Sequence, residues 1–101
     1  MPDLSVIIPA YNEERRLPAT LASVYGYLER TLQETGRTYE ILVVDDGSHD
    51  GTCEVVEEFA RHQVQSESDD EQEKVRLVSY APNQGKGFAV RTGMLNTVSG
   101  G

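Results

Sequence analysis

Tryptophan is absent from this chain of 101 residues, cysteine occurs once, and basic residues are few: 9 Lys+Arg stand against 17 Asp+Glu, a formal net charge of −8. Each scarcity excludes something. A single Cys53 cannot close an internal disulfide, so the chain is not a disulfide-stapled secreted domain. Cys53, His49 and His62 do not have the spacing of a zinc site. Acidity without a basic stripe argues against wrapping nucleic acid and against charge-driven attachment to an anionic membrane. The apolar runs, Val6 to Ile8 and Ile41 to Val44, fall far short of the roughly 20 residues that span a bilayer. The opening M-P-D-L-S lacks both the basic flank and the apolar stretch of a signal peptide. The length allows one small domain.

What remains is strongly patterned. Leu4 to Ile8 is a short β-branched run ending at Pro9 and predicts a buried strand. Leu17, Leu21, Val24, Leu28 and Leu32 recur at helical spacing, with Pro18 in the first turn and Gly36 placed to end the helix. Tyr39 to Val44 predicts a second buried strand, stopped by the turn signal Asp45-Asp46-Gly47. Thr52 to His62 predicts a second helix, with Asp50 as its cap. Residues 63–74 include five acids and one Lys between Ser66 and Lys74 and predict an exposed, mobile acidic loop. Val75 to Tyr80 predicts a third strand, and Phe88 to about Thr97 a third helix after a loop at Asn83 to Gly87. The order β-α-β-α-β-α predicts an α/β fold with a parallel three-strand sheet. The chain ends where a fourth strand would follow, so the expectation is one nucleotide-binding part, residues 1–101, at the N-terminal side of a longer domain, with a bare sheet edge.

Ligands in such sheets bind outside the carboxyl ends of the strands. Those ends carry Pro9-Ala-Tyr-Asn-Glu13, Asp45-Asp-Gly-Ser-His-Asp50 and Asn83-Gln-Gly-Lys86. Two carboxylates at a buried strand end are costly unless hydrogen-bonded or facing a ligand. Asp45 and Asp46 are candidates for accepting from a base N–H or ribose hydroxyls, or for helping to hold Mg²⁺ or Mn²⁺. Capping of the turn and the following helix competes with that role. Tyr11 suits stacking on a base, or is an ordinary surface tyrosine. Glu13 suits a ligand hydroxyl or amide, or a helix N-terminus. Lys86, between Gly85 and Gly87, suits a phosphate approached by backbone N–H groups, or is a solvated loop lysine. Arg91 is a weaker second cation.

Other motifs fail. No G-x-x-x-x-G-K-[ST] or G-x-S-x-G occurs. The Gly85-Lys86-Gly87 run meets Val90 where the dinucleotide fingerprint wants a small residue. His49 and His62 sit in unrelated surface contexts. A phosphorylated receiver domain lacks its required Asp after the next strand, Ser79-Tyr80-Ala81. Asp46, Ser48, Asp50, Gly51 and Glu57 fit the EF-hand positions with Ser48 as a departure, but a strand-like segment precedes them where a helix is required.

Three segments together resemble the start of a family-2, GT-A-fold glycosyltransferase. They are Ser5 to Glu14, Tyr39 to Ser48 with Asp50 and Thr52, and Asn83 to Gly87 with Ala89, Arg91 and Gly93. The paired Glu13-Glu14-Arg15-Arg16-Leu17-Pro18 and the run from Gly85 to Gly93 are similar to the dolichyl-phosphate β-glucosyltransferase branch. The resemblance implies a nucleotide-sugar pocket lined by Pro9, Tyr11, Glu13, Asp45, Asp46, Gly85 and Lys86, with Asp46 as the partner of the base N–H. It implies glucose transfer from UDP-glucose to a polyprenyl (dolichyl) phosphate on the cytoplasmic side of a membrane, endoplasmic reticulum or bacterial or archaeal plasma membrane. It also implies a divalent metal, Mg²⁺ or Mn²⁺, whose D-x-D ligands are not in this sequence. The expectation is therefore a nucleotide-binding half that does not turn over substrate alone. A non-catalytic nucleotide-binding fragment is the alternative.

Overall fold

The computed structural model describes residues 3–63 and 74–97. The elements are β1 (Leu4–Ala10), α1 (Leu17–Gln33), β2 (Tyr39–Asp46), α2 (Thr52–Gln63), β3 (Val75–Tyr80) and α3 (Lys86–Asn96). The three strands form one parallel sheet in the order β1-β2-β3. This is the α/β architecture that the alternating pattern predicts. The expected acidic loop lies outside the described residues, apart from its flanks Gln63, the last residue of α2, and Lys74.

β2 is central and buried along its whole length. Its pleat sorts the core into two layers. Ile41 and Val43 face α1 and α2, packing on Leu17, Leu21, Leu28 and Val56. Leu42 and Val44 face α3, packing on Ala89 with Ile7, Val78 and Tyr80. Burial of these β-branched and leucine side chains on both faces is why β2 reads as an unbroken apolar run.

Element ends differ from the sequence reading in three places. β1 runs on through Pro9, which lies opposite Val44. Among the described residues β1 pairs on one side only, and an edge strand tolerates a proline that lacks an N–H. β2 continues through Asp45 and Asp46, which pair in register with Ser79 and Tyr80. The turn starts at Gly47, whose φ of 74° lies in the region glycine adopts without strain. α3 begins at Lys86 and ends at Asn96, with Gly85 as N-cap. The helix thus takes in Lys86 and Gly87, whose glycine-flanked sequence predicts a loop.

α3 lies close against the sheet. A Cβ on Gly93 would sit 2.5 Å from Ile7 Cγ2 and 3.0 Å from Val44 Cγ2. Gly93→Ala is expected to overpack this layer and destabilise the chain by about 1–3 kcal/mol. A urea midpoint equal to that of the parent would contradict this packing. At the far end of the helix, Arg76 joins the buried Glu40 (2.7 Å) to the Asn96 carbonyl (2.8 Å), so one guanidinium ties the sheet to the last turn of α3.

Candidate functional site

The carboxyl ends of the strands carry two interlocked loops. In the loop after β1, the Asn12 N–H donates to Ser48 Oγ (2.8 Å), and the His49 N–H donates back to Asn12 Oδ1 (2.9 Å). The Glu13 N–H donates to Thr52 Oγ1 (3.0 Å), and the Gly51 N–H donates to Glu14 Oε1 (3.0 Å). Asn12 has a φ of 52°, a conformation that asparagine tolerates better than most residues. Asp50 accepts from the Thr52 N–H at 3.0 Å and from the Thr52 hydroxyl. The first helical bond of α2 runs from the Val55 N–H to the Gly51 carbonyl, so the N-cap is Gly51 and not, as expected, Asp50, which lies one residue before it. The Thr52 hydroxyl is the main cause holding the Asp50 carboxyl below its ordinary range.

Asp45 and Asp46 are neighbours in sequence and diverge in space. Successive residues of a strand point to opposite faces. Asp45 points to the α2 side, where its carboxylate accepts from Ser79 Oγ (3.1 Å), Cys53 Sγ (3.2 Å) and the Ser48 N–H (3.3 Å). Burial pushes the Cys53 thiol up; the Ser79 contact offsets part of that rise and Asp45 adds to it. Asp46 points to the α3 side. The structure does not bring the two carboxylates together as a pair, because β2 continues straight through both.

The Asp46 carboxylate is buried and fully partnered. Oδ1 accepts from the Tyr80 hydroxyl (2.5 Å) and the Gln84 N–H (2.8 Å). Oδ2 accepts from the Asn83 side-chain amide (2.7 Å) and the Gly85 N–H (2.9 Å). The same Asn83 amide donates to the Asp46 carbonyl (3.0 Å). A carboxylate has about four lone-pair sites, and these four donors fill them. Burial pushes the Asp46 carboxyl up, but the bonds from Tyr80, Gln84 and Gly85 outweigh it and hold the group below the ordinary aspartate range. Burial and the adjacent Asp46 push the Tyr80 phenol up to about 12. The Tyr80 ring packs edge-on against Phe88, centroids 5.1 Å apart.

A cleft of about 340 Å³ opens beside this network, lined by Pro9, Ala10, Tyr11, Glu13, Asp46, Asn83, Gly85, Lys86 and Ala89. Six of the seven candidate residues therefore gather at one cleft: Pro9, Tyr11, Glu13, Asp46, Gly85 and Lys86. Asp45 is outside it, on the other face of the sheet, and Arg91 is exposed elsewhere on α3. Tyr11 stands half-exposed at the mouth. Glu13 pairs with Arg16 through one carboxylate oxygen (2.5 Å). Lys86 is exposed and forms no ion pair among the described residues. The arrangement offers an aromatic face, a carboxylate, an ammonium and the first turn of a helix around one small space. Such a set suits a ligand with a flat ring at one end and anionic groups at the other.

Asn83, Tyr80 and Gln84 were not among the candidates. Their signal lay in the register. Once β3 is taken as parallel to β2, Tyr80 falls beside Asp46, and the loop after Tyr80 has to turn over that carboxylate.

The pattern described as Glycosyl transferase family 2 matches residues 5–99. The chain belongs to this family. Among its relatives, a dolichyl-phosphate beta-glucosyltransferase of Drosophila melanogaster is 44% identical over 95 residues, which are 93% of this chain and 27% of that protein. The Homo sapiens protein of the same name is 39% identical over the same shares. That of Saccharomyces cerevisiae is 36% identical over 92% of this chain and 26% of its own length. The chain thus spans about a quarter of the length of the curated relatives it matches. The crystal structure of S. aureus TarS 1-349 superposes with a TM-score of 0.66 over 96% of this chain and 24% of that one, at 24% identity. The chain shares the fold of the part of that structure it covers.

Membership of the family sharpens two further points. The EF-hand reading does not survive the geometry. β2 precedes the segment where a helix is required, Asp46 is held by Gln84 and Gly85, and Glu57 lies exposed on α2. The divalent metal expected from the resemblance finds no ligand set here: among the described residues no group of three His, Cys, Asp or Glu could hold a metal ion. Among the described residues no helix is long and apolar enough to cross a membrane.

Proposed function

We propose that the cleft holds the nucleotide of a sugar nucleotide, and that the chain is the nucleotide-binding part of an enzyme transferring glucose from UDP-glucose to a dolichyl or other polyprenyl phosphate. One observation carries this reading. The residues gathered at the cleft come from all three family segments, in a chain up to 44% identical to proteins named dolichyl-phosphate beta-glucosyltransferases. In this reading Tyr11 stacks on the base, and Glu13 accepts from base or ribose donors. Pro9 and Gly85 shape the walls without bulk. Lys86 and the first N–H groups of α3 face the diphosphate, where a cation favours the negative charge that grows as the sugar departs. The acceptor phosphate attacks the anomeric carbon from the side opposite the leaving diphosphate, so configuration inverts. The acceptor is a membrane lipid, so transfer takes place at a membrane surface, proposed to be the cytoplasmic one.

Calorimetric titration of the chain with UDP, and with GDP as comparison, tests the pocket. UDP is expected to bind, and Tyr11→Ala to weaken it roughly tenfold or more through lost stacking. Equal affinity in the parent and the Tyr11→Ala chain would remove the stacking assignment. Absence of binding by either nucleotide would remove the nucleotide reading altogether.

A further inference from the structure

Four donors converge on Asp46, and they come from a single stretch of chain, Tyr80 to Gly85. Two of them, the Gln84 and Gly85 N–H groups, immediately precede Lys86, the first residue of α3. The other two are side chains. The Tyr80 hydroxyl sits on the closest of the four bonds, and its ring is held by Phe88, two residues into α3 from Lys86. The Asn83 amide bridges the carboxylate and the carbonyl of the same aspartate. As the shared acceptor of this stretch, Asp46 controls where the turn at Gln84 and Gly85 lies, and hence where Lys86 and Gly85 stand in the cleft.

We infer that Tyr80 and Asn83 are positioning residues: through Asp46 they latch the Gln84–Gly85 turn onto the end of β2 and so set the place of Lys86 against an anionic ligand. Neither residue needs to touch the ligand's reacting atoms. Gly85 is the fourth member of the latch, because its φ of 98° lets the N–H reach Oδ2 while the chain turns into α3. The ligand named in this inference, a nucleoside diphosphate, rests on the proposed function; the latch itself does not.

Two measurements on the whole chain separate the two. Tyr80→Phe keeps the ring against Phe88 and removes one charge-assisted donor. Amide exchange followed by NMR is expected to speed up about tenfold or more at Gln84 and Gly85 relative to Val43 and Val44, and the Kd for UDP is expected to rise by a similar factor. Asn83→Ala, which lies at the surface, is expected to act in the same direction and serves should the Tyr80 variant not fold. Unchanged exchange at Gln84 and Gly85 in either folded variant overturns the latch. Faster exchange with an unchanged Kd reduces it to a structural feature and overturns the positioning role, since a merely structural loss lowers the urea midpoint without moving the affinity of the folded chain. Failure of the unsubstituted chain to bind UDP discards the nucleotide reading, and the exchange comparison then decides the latch alone.

Discussion

Asp46→Ala is expected to cost the chain about 3–5 kcal/mol and to abolish the UDP binding proposed for the cleft. Truncation removes a buried carboxylate and with it the hydrogen bonds from the Tyr80 hydroxyl, the Asn83 amide and two backbone N–H groups, and stripping several donors of a shared charged partner is among the costliest single changes. A small domain has on the order of 5–15 kcal/mol in total, so urea unfolding read by circular dichroism should show a chain near the edge of folding. The pH dependence carries the same signature. The folded-state pKa of Asp46 lies below its ordinary value of 3.8, so the stabilisation is present above that value and is lost as pH falls through the lower folded-state pKa. Asp46→Asn should therefore flatten the acid limb of the stability curve. At the alkaline end the sign reverses. Tyr80 holds its proton up to about 12 in the folded chain, against an ordinary value of 10.0. Its contribution is complete below the ordinary value and declines as pH rises through the folded one. A parent and an Asp46→Asn chain with superimposable acid limbs would show that the four-donor network is not what holds this strand end.

Gly47→Ala is expected to be nearly as damaging, for a different reason. Gly47 has a φ of 74°, and a Cβ there would lie 2.6 Å from the Asn83 nitrogen and 2.9 Å from the Pro82 carbonyl carbon. Both neighbours are backbone, so no side-chain rotation relieves the contact. The left-handed conformation costs an alanine about 1–2 kcal/mol, and the crowding adds about 1–3 kcal/mol more. The backbone after β3 has to lift away from β2, which takes the Asn83 amide off Asp46. The measurement is again a denaturant midpoint, with Gly36→Ala as control. Gly36 has the same φ of 74°, but a Cβ there meets nothing within 4 Å, so it should show the conformational part alone. Equal losses at the two glycines would mean that the close approach of the loops contributes nothing.

Much of the fold was legible because its signals are local. The β-branched runs at Val6 to Ile8 and Ile41 to Val44 and the leucine spacing from Leu17 to Leu32 each depend on a few adjacent residues, and each element appears where expected. The convergence of Pro9, Tyr11, Glu13, Asp46, Gly85 and Lys86 followed from one rule about parallel sheets and from the family resemblance. What was harder to read depends on strand continuation and register. Asp45-Asp46-Gly47 has the composition of a turn, and only the pairing with Ser79 and Tyr80 keeps both aspartates in β2. From that continuation it follows that Asp45 leaves the cleft for Ser79 and Cys53. The role of Asn83 was illegible for a related reason. An asparagine after a proline looks like any loop residue until the strand beside it is known to end in a carboxylate. The early start of α3 was masked by Gly85 and Gly87, whose low helix propensity is outweighed by the anchoring of Gly85 on Asp46.

The bonds that build the cleft share a property with consequences for how it comes into being. Asn12 with Ser48, Glu14 with Gly51, Tyr80 with Asp46 and Gly85 with Asp46 join residues 34 to 39 positions apart. Each such closure carries an entropic cost that local helix bonds do not. The cleft therefore has no nucleus of its own. It assembles in the same step that zips β1, β2 and β3 together, and a peptide ending before β3 would carry Tyr11, Glu13 and Asp46 without any pocket between them. The cleft is a product of the sheet's assembly as a whole, with no preformed half to seed it.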